Sequence, residues 1–207
     1  MHRRSALRAC VIGATAASTL LALLTRADSA TAQSGSAEGP SADTEPSAGW
    51  DALRTGAIVV FRHAEAPGGG DPPGLKLDDC STQRNLSAEG RAQAQRIGDR
   101  LRQERVAVGA VWASQWCRTR ETAQLLHIGP ARDAIAFNSF FAEREREAAQ
   151  TAAARAALLG WRGPGSLVVV THQVNITALT GVSPVSGEGV VLRHRAGTLE
   201  LVARVLP

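Results

Sequence analysis

The amino-acid sequence predicts a three-layer α/β/α sandwich with a mainly parallel β-sheet and an antiparallel C-terminal edge. Three short apolar runs, at positions 57–61, 108–113 and 167–170, are rich in β-branched residues. Runs of this kind are typical of strands that are covered on both faces. Segments with helical character separate the runs along the chain, and this alternation is characteristic of α/β proteins.

Helices are predicted in three segments. The first extends from Ser87, a residue type that favours the N-cap position, to Gln103. Its apolar face follows the helical period through Gly90, Ala94, Ile97 and Leu101. The second runs from about Ala142 to Leu159 and is dense in Ala, Glu and Arg, which are strong helix formers. The third begins within residues 173–179.

The C-terminal region has a different pattern. Two strand-like segments, 189–193 and 198–205, flank the sequence Arg-Ala-Gly at positions 195–197. Two such segments around a short glycine-containing turn indicate a β-hairpin. We therefore expect an antiparallel edge on the otherwise parallel sheet.

Residues 1–32 have the order of a secretory signal peptide. Arginines precede an apolar run at positions 9–24, and Ala-Thr-Ala at positions 30–32 forms a small-residue cleavage site. The run has about 16 residues, which is shorter than a membrane-spanning helix needs. We expect cleavage, no stable membrane span after it, and a periplasmic or secreted protein. Both the general and the twin-arginine export routes remain open.

The mature chain is predicted to consist of a flexible linker, residues 33–49, and one folded domain, residues 50–207. The linker is rich in Ser, Ala, Gly, Glu and Pro and has no apolar periodicity. It cannot bury enough surface to offset the entropy lost on ordering. The remaining segment is long enough to bury a single core.

Charge and composition exclude two classes of function. Residues 1–32 contain four arginines and one aspartate, so the mature chain has 19 basic and 18 acidic side chains. Such a balance does not favour nucleic-acid binding. Only 4% of the residues are aromatic, and no basic amphipathic helix indicates membrane adhesion. The oligomeric state is not determined by the sequence.

Two cysteines, Cys80 and Cys117, remain after removal of the signal peptide. In an oxidising compartment this even number allows one disulfide. Two buried free thiols are the alternative. A disulfide would join the loop that follows the first strand to the segment that contains Arg118.

Basic side chains follow the ends of all three predicted strands. Arg62 and His63 come directly after the first strand, Arg118 lies just beyond the second, and His172 follows the third. The carboxyl ends of parallel strands form the ligand crevice of an open α/β sheet. Guanidinium groups suit the equatorial oxygens of a transferring phosphoryl group, and a neutral imidazole is a competent nucleophile. This chemistry requires no metal and no cofactor.

Four ordered motifs extend this pattern. The sequence has Phe-Arg-His-Ala-Glu at 61–65, Asn-Leu-Ser-Ala-Glu-Gly at 85–90, Ser-Gln-Trp-Cys-Arg-Thr-Arg-Glu-Thr-Ala at 114–123 and Thr-His at 171–172. In this order they resemble the motifs of the histidine phosphatase superfamily, which is also called phosphoglycerate-mutase-like. The resemblance covers residues 58 to about 180.

The resemblance implies a role for each matching residue. His63 is the nucleophile that becomes phosphohistidine, and Arg62, Arg118 and His172 line the phosphate pocket and stabilise the transferring group. Asn85, which opens the second motif, is a candidate substrate-binding residue. The implied fold is the phosphoglycerate-mutase-like sandwich, and the implied site contains no metal.

The motifs depart from the family at two positions. Ala64 replaces the glycine of the first signature, which adds a methyl group beside the phosphate site. Gln173 stands where members with the phytase pattern have an aspartate that donates a proton, and an amide cannot do this.

The proton donor is therefore sought elsewhere. The mutase-like branch takes a glutamate from the segment that follows the arginine helix, so we expect Glu143 to be the acid. Glu145 and Glu147 are rivals on the same stretch, and Glu65 and Asp71 are weaker candidates.

The sequence predicts a metal-independent phosphomonoester hydrolase that acts through phosphohistidine on His63. Within the family it is most similar to exported lipopolysaccharide core heptose phosphatases, which implies a sugar phosphate or a cell-envelope phosphate ester as substrate. One alternative is a phosphohistidine-protein phosphatase. The other is a phosphate-binding protein without catalytic activity.

Overall fold

A computed structural model describes residues 46–207, so the predicted signal peptide and most of the predicted linker lie outside the described residues. The α-helices of this part are α1 (Pro46–Arg54), α2 (Ala88–Gln103), α3 (Cys117–Leu125), α4 (Glu147–Gly160) and α5 (Gln173–Thr180). Its strands are β1 (Ile58–Arg62), β2 (Val108–Ala113), β3 (Ala131–Asp133), β4 (Ser166–Thr171), β5 (Gly189–Arg195) and β6 (Thr198–Val205). None of these helices is long and apolar enough to cross a membrane.

The six strands form one sheet in the order β3-β2-β4-β1-β5-β6. β1 and β4 are parallel neighbours, with Phe61 opposite Val170, and β2 pairs in parallel with both β4 and β3. β5 runs antiparallel to β1 and to β6. The prediction of a mainly parallel sheet with an antiparallel C-terminal edge is confirmed.

Helices cover both faces of the sheet. On one face Leu53 of α1, Ile97 of α2 and Leu126 after α3 pack against alternate strand residues such as Val59. On the other face α4 and α5 pack against the intervening strand residues through Leu158 and Ile176 respectively. Because successive strand side chains point to opposite faces, continuous apolar strands supply both cores at once.

Helix α1 begins before the predicted start of the folded domain. Its range, Pro46–Arg54, overlaps the end of the segment predicted as linker, and Trp50 and Leu53 are buried. Gly49 lies so close to β6 that a Cβ atom there would be 2.9 Å from a methyl carbon of Val205. Packing against the sheet therefore orders residues whose composition alone favours disorder.

Helix α4 begins later than predicted. It starts at Glu147, after a single 3₁₀ turn at Arg144–Arg146, and not at Ala142. Phe140 is buried, and Glu143 has φ −130° and ψ 68°, which is not helical. Burial of the Phe140 side chain keeps the segment before α4 irregular, although the residues of this segment favour a helix.

The C-terminal hairpin has the predicted position. β5 and β6 pair around a two-residue turn in which Ala196 has φ 48° and Gly197 has φ 80°. Positive φ at both central residues is the geometry of a type I′ turn, which matches the twist of the flanking strands.

Close backbone contact between α2 and the end of α3 requires glycine at position 98. A Cβ atom on Gly98 would lie 1.9 Å from the carbonyl oxygen of Leu126. Gly160, at the end of α4, has no heavy atom within 4 Å of the equivalent position. The two glycines therefore differ in what an added methyl group would meet.

Replacing Gly98 with Ala is expected to destabilise the protein by about 2 kcal/mol, because the methyl group must displace backbone. An alanine in an open helical position normally stabilises by up to about 1 kcal/mol, so Gly160→Ala serves as the matched control. Urea unfolding of both variants measures the difference. A Gly98→Ala variant as stable as the control would contradict the close packing.

A disulfide joins Cys80 to Cys117, whose Cα atoms are 5.7 Å apart. Of the two alternatives left by the sequence, the structure has the disulfide. The bond fastens the 3₁₀ turn Cys80–Thr82 to the first residue of α3. Gln83 strengthens the same connection, since its side-chain oxygen accepts a hydrogen bond from the Cys117 backbone N–H at 2.9 Å.

The double variant Cys80→Ser, Cys117→Ser is expected to lose about 4 kcal/mol of unfolding free energy, because the bond closes a loop of intermediate length. Denaturant unfolding with and without dithiothreitol measures this loss. In reducing buffer the wild type should approach the variant, whose own stability should not respond to reductant. Equal stabilities in oxidising buffer would show that the disulfide contributes nothing.

Candidate active site

A cavity of about 150 Å³ lies at the carboxyl edge of the parallel strands. His63 follows β1, His172 follows β4, and Arg118 reaches the cavity from the first turn of α3. The lining side chains with ionisable or polar groups are Arg62, His63, Asp71, Arg84, Arg118, Ser139, His172 and Gln173. The four basic residues singled out in the sequence are therefore brought together.

His63 is buried, with 2% of its surface exposed. Its Nδ1 lies 2.7 Å from the carbonyl oxygen of Ala64. Because a carbonyl oxygen can only accept, Nδ1 carries the proton and Nε2 carries the lone pair. The ring is thus held in the tautomer whose Nε2 is a nucleophile.

The methyl group of Ala64 does not narrow the cavity. Ala64 is fully buried in a small apolar cluster with Leu86 and Ala94, and it is not among the cavity-lining residues. Its backbone N–H donates to the Thr122 hydroxyl at 3.1 Å. The departure from the family's glycine therefore changes packing behind the nucleophile and leaves the cavity open.

His172 connects Arg118 to the sheet. Nη2 of Arg118 lies 3.3 Å from His172 Nδ1, and His172 Nε2 lies 2.8 Å from the hydroxyl oxygen of Ser114. A guanidinium group can only donate, so Nδ1 accepts and the proton of His172 is on Nε2. The neutral imidazole thereby orients the arginine in the cavity.

Both histidines are held in their neutral form. Burial, and then the positive charge of Arg118, lowers the pKa of His63 from 6.5 to about 3. The same two causes, in the same order, lower the pKa of His172 well below its usual value. Near neutral pH, His63 therefore keeps its lone pair available.

Three guanidinium groups surround the cavity. Arg62 donates to the carbonyl oxygen of Pro184 at 3.0 Å, and Arg84 donates to the carbonyl oxygens of Ala66 and, at 3.1 Å, Gly68. Burial, followed by repulsion from Arg118, lowers the pKa of both Arg62 and Arg84. This concentration of positive charge favours a bound anion.

Each of these arginines also has an unused donor. The Nε atoms of Arg62, Arg84 and Arg118 are buried and have no hydrogen-bond partner within residues 46–207. The sequence analysis missed Arg84, which precedes the second motif but belongs to none of the motifs. Its position depends on the fold of the long loop between β1 and α2, which no local pattern predicts.

Asp71 is the one carboxylate among the cavity-lining residues. Its two oxygens accept from Nη1 and Nη2 of Arg118 at 2.5 and 3.0 Å. The indole N–H of Trp116 donates to the same carboxylate at 3.0 Å. The sequence analysis ranked Asp71 as a weaker candidate, whereas the structure puts it in contact with the central arginine.

Glu143 lies outside this cavity. Its side chain is 54% exposed and forms an ion pair of 2.6 Å with Arg146. Glu145 and Glu147 are also exposed, and Glu65 accepts a hydrogen bond from the Ser87 hydroxyl away from the cavity. The start of α4 at Glu147 is one reason, since the irregular segment before it directs Glu143 to solvent. The geometry does not support Glu143 as the proton donor.

Asn85 does not reach the cavity either. Its side-chain amide donates to the carbonyl oxygens of Cys80 at 2.7 Å and Gln83 at 3.2 Å. It therefore closes the 3₁₀ turn that contains the disulfide. The prediction that Asn85 binds substrate is not supported, and its contacts indicate a structural function.

A larger groove of about 840 Å³ adjoins the cavity. Five residues line both spaces: Gly69, Gly70, Asp71, Ser139 and Phe141. Apolar side chains form much of the groove wall: Pro72, Pro73, Leu75, Leu77, Trp116 and Phe140. Glu143, Arg146 and Gln150 contribute polar groups.

Within residues 46–207, no His, Cys, Asp and Glu side chains form a group of three or more that could hold a metal ion.

Comparison with solved structures identifies relatives of the fold. A candidate phosphohistidine phosphatase SixA from Nakamurella multipartitia is 20% identical, with a TM-score of 0.52 over 73% of this chain and 96% of its own. A candidate alpha-ribazole-5'-P phosphatase from Escherichia coli is 15% identical, with a TM-score of 0.53 over 70% and 94%. A phosphoserine phosphatase from Entamoeba histolytica is 14% identical, with a TM-score of 0.52 over 72% and 95%.

Comparison with protein families gives a match over part of the chain. No curated protein matches it. The family model "Histidine phosphatase superfamily (branch 1)" matches residues 58–145, which include β1, the nucleophile motif, α2 and the Arg118 segment. Family match, fold and cavity agree, and the prediction of a phosphatase is confirmed at this level. Over residues 58–145 the chain is similar to the histidine phosphatase superfamily.

Proposed function

We propose that the protein is a metal-independent phosphomonoester hydrolase that forms phosphohistidine on His63. The observation that carries the proposal is the neutral His63 ring, with its Nε2 lone pair, buried in a cavity that three guanidinium groups surround. A nucleophile and an anion site in the same small cavity are what phosphoryl transfer requires.

The reaction begins when the phosphoryl group enters the cavity. Arg62, Arg84 and Arg118 balance the charge on its non-bridging oxygens, and His172 keeps Arg118 oriented. Nε2 of His63 attacks phosphorus, and the bond from phosphorus to the ester oxygen breaks as the new P–N bond forms. Water then attacks phosphorus, which releases inorganic phosphate and restores the neutral imidazole.

Two helix N-termini add to the stabilisation of the anion. Helices α3 and α5 start at Cys117 and Gln173, directly beside Arg118 and His172. Neither helix has a side-chain cap at its N-terminus. The positive ends of the two helix dipoles therefore act in the same direction as the arginines.

The adjoining groove is the place for the organic part of the substrate. Its walls combine apolar and aromatic side chains such as Trp116 and Phe141 with the polar pair Glu143 and Arg146. Aromatic surfaces bind apolar faces of ligands, including those of sugar rings, and polar groups fix their orientation. A sugar phosphate or a cell-envelope phosphate ester suits this lining. The related folds are less than 25% identical and support no choice among their substrates.

The proposal includes export to the periplasm or the medium. The order of residues 1–32 favours a secretory signal, and the disulfide between Cys80 and Cys117 is typical of oxidising compartments. A substrate outside the cytoplasm follows from this location. The competing function of a phosphohistidine-protein phosphatase would require a protein substrate at the same groove.

Replacing His63 with Asn is expected to abolish the phosphoenzyme and to lower phosphatase activity at least about a thousandfold, because both ring nitrogens of His172, the other imidazole of the cavity, are engaged with Arg118 and Ser114. Acid quench of the enzyme with ³²P-labelled substrate, followed by alkaline gel analysis, detects acid-labile phosphohistidine. Hydrolysis of p-nitrophenyl phosphate, measured with and without EDTA, gives the rate.

His194→Asn is the matched control, since His194 lies outside the cavity on β5. It should retain the phosphoenzyme and the rate. Full activity of His63→Asn, or a requirement for metal, would refute the mechanism. Phosphate binding without any turnover of the wild type would favour the inactive binding protein, and turnover limited to phosphohistidine peptides would favour the protein phosphatase.

The neutral histidines predict a stability that falls with acidification. Between pH 6.5 and about 3 an unfolded histidine takes up a proton that folded His63 does not, so acidification lowers the free energy of the unfolded state relative to the folded state. Lowering the pH from 7.5 to 5.0 should cost about 2 kcal/mol for His63, and the lowered pKa of His172 should add a loss in the same direction. The double variant His63→Gln, His172→Gln should lack this loss in urea unfolding. Equal pH dependence of both proteins would contradict the lowered pKa values.

A further inference from the structure

We infer that Asp71 is the proton donor of the reaction and that, before substrate binds, its carboxylate occupies the fork of Arg118 where the phosphoryl group belongs. This inference rests on the proposed phosphatase function and assigns a catalytic residue to it. Sequence reasoning favoured Glu143, and the motifs of the chain do not include Asp71.

Asp71 lies at the junction of the two spaces that a phosphomonoester must occupy. It lines both the small cavity with His63 and the larger groove. When the phosphoryl group is in the cavity and the organic group is in the groove, the ester oxygen lies at their boundary. A general acid must come within hydrogen-bond reach of this oxygen.

The other acidic side chains lack this position. Asp71 is the one carboxylate among the residues that line the cavity, and it is 19% exposed. Glu143 lines the groove but not the cavity. The half-buried carboxyl of Asp71 at the boundary is partly shielded from bulk water, whereas Glu143 faces solvent with its own partner, Arg146.

The contact with Arg118 accounts for the resting state. The two oxygens of Asp71 meet the two terminal nitrogens of Arg118 in a bidentate pair. A phosphoryl group binds a guanidinium in the same geometry, through two oxygens. Substrate must therefore displace Asp71 from Arg118 before the reaction begins.

The loop around Asp71 permits this displacement. Gly68, Gly70 and Gly74 have φ values of 93°, 80° and 80°, which residues other than glycine rarely adopt. Arg84 holds the base of the loop through the carbonyl oxygens of Ala66 and Gly68. Glycines on both sides of Asp71 let the tip rotate while the base stays fixed.

The proton balance follows from the exchange. As the ester replaces Asp71 on Arg118, the carboxylate loses its cationic partner, gains a negatively charged neighbour and takes up a proton. Asp71 takes this proton from solvent. It then donates the proton to the ester oxygen as the P–O bond breaks, so the alcohol leaves neutral and Asp71 becomes a carboxylate. In the second step the carboxylate removes a proton from the water that attacks phosphohistidine, and Asp71 releases this proton to solvent when it returns to Arg118 as the carboxylate.

The test uses the leaving-group dependence of Asp71→Asn. The value of kcat/KM reports the step in which the P–O bond breaks, and it should fall about a hundredfold for a simple alkyl phosphate. For p-nitrophenyl phosphate, whose leaving group needs no proton, kcat/KM should be unchanged or higher, because the variant also lacks the carboxylate that competes for Arg118. Asp99→Asn, an exposed aspartate on α2, is the matched control and should change neither value.

An equal loss of kcat/KM for both substrates would overturn the assignment, because a structural defect lowers kcat/KM whatever the leaving group is. A selective loss in Glu143→Gln, without one in Asp71→Asn, would also overturn it and make Glu143 the donor. Failure of the proposed function is separable, since wild type without phosphohistidine on His63 would fail on both substrates before any variant is compared.

Inhibition by inorganic phosphate tests the resting contact. Asp71→Ala leaves Arg118 without its competing carboxylate, so the inhibition constant for phosphate should fall about tenfold or more. An unchanged or increased inhibition constant in Asp71→Ala would show that Asp71 does not compete for the phosphate position.

Discussion

The bidentate ion pair between Arg118 and Asp71 is the interaction on which the cavity depends. Three guanidinium groups converge there, and Asp71 is the one anion among the lining residues. The side chain of Arg118 is only 3% exposed. An unpaired buried charge of this kind costs several kcal/mol. Asp71 therefore allows the anion site to exist without its anion, and the two histidines complete the arrangement by remaining neutral.

The sheet and its connections fix these groups in place. Parallel pairing of β1 with β4 brings Arg62 opposite Thr171, so the following histidines end at the same edge. The disulfide at Cys117 and the Gln83 hydrogen bond hold the start of α3, from which Arg118 projects. Preorganisation of this kind removes the need to reorient the protein during the reaction. The glycine-containing loop at Asp71 is the part of the cavity that the proposed exchange requires to move.

The sequence predicted the parts of the site that strands position. His63 and His172 follow apolar runs whose buried pairing is strongly specified, so their meeting at one edge could be predicted from period and order alone. Arg84 and Asp71 could not be predicted, because both lie in an irregular loop whose path depends on long-range contacts. Glu143 was misplaced for a related reason, since helix propensity gave no indication that burial of Phe140 keeps the chain irregular there.

An exchange of anions explains how such a site can bind tightly and still release its product. Arg118 is never left unpaired, since the carboxylate of Asp71 and the phosphoryl group replace each other on the same two nitrogens. The penalty of several kcal/mol for an uncompensated buried charge is thereby avoided in both states. The substrate displaces the carboxylate at the start of the cycle because its organic part also binds in the groove, a contact that inorganic phosphate lacks. Return of the ionised Asp71 to Arg118 then opposes retention of inorganic phosphate, and the same carboxyl group that donates the proton also assists product release.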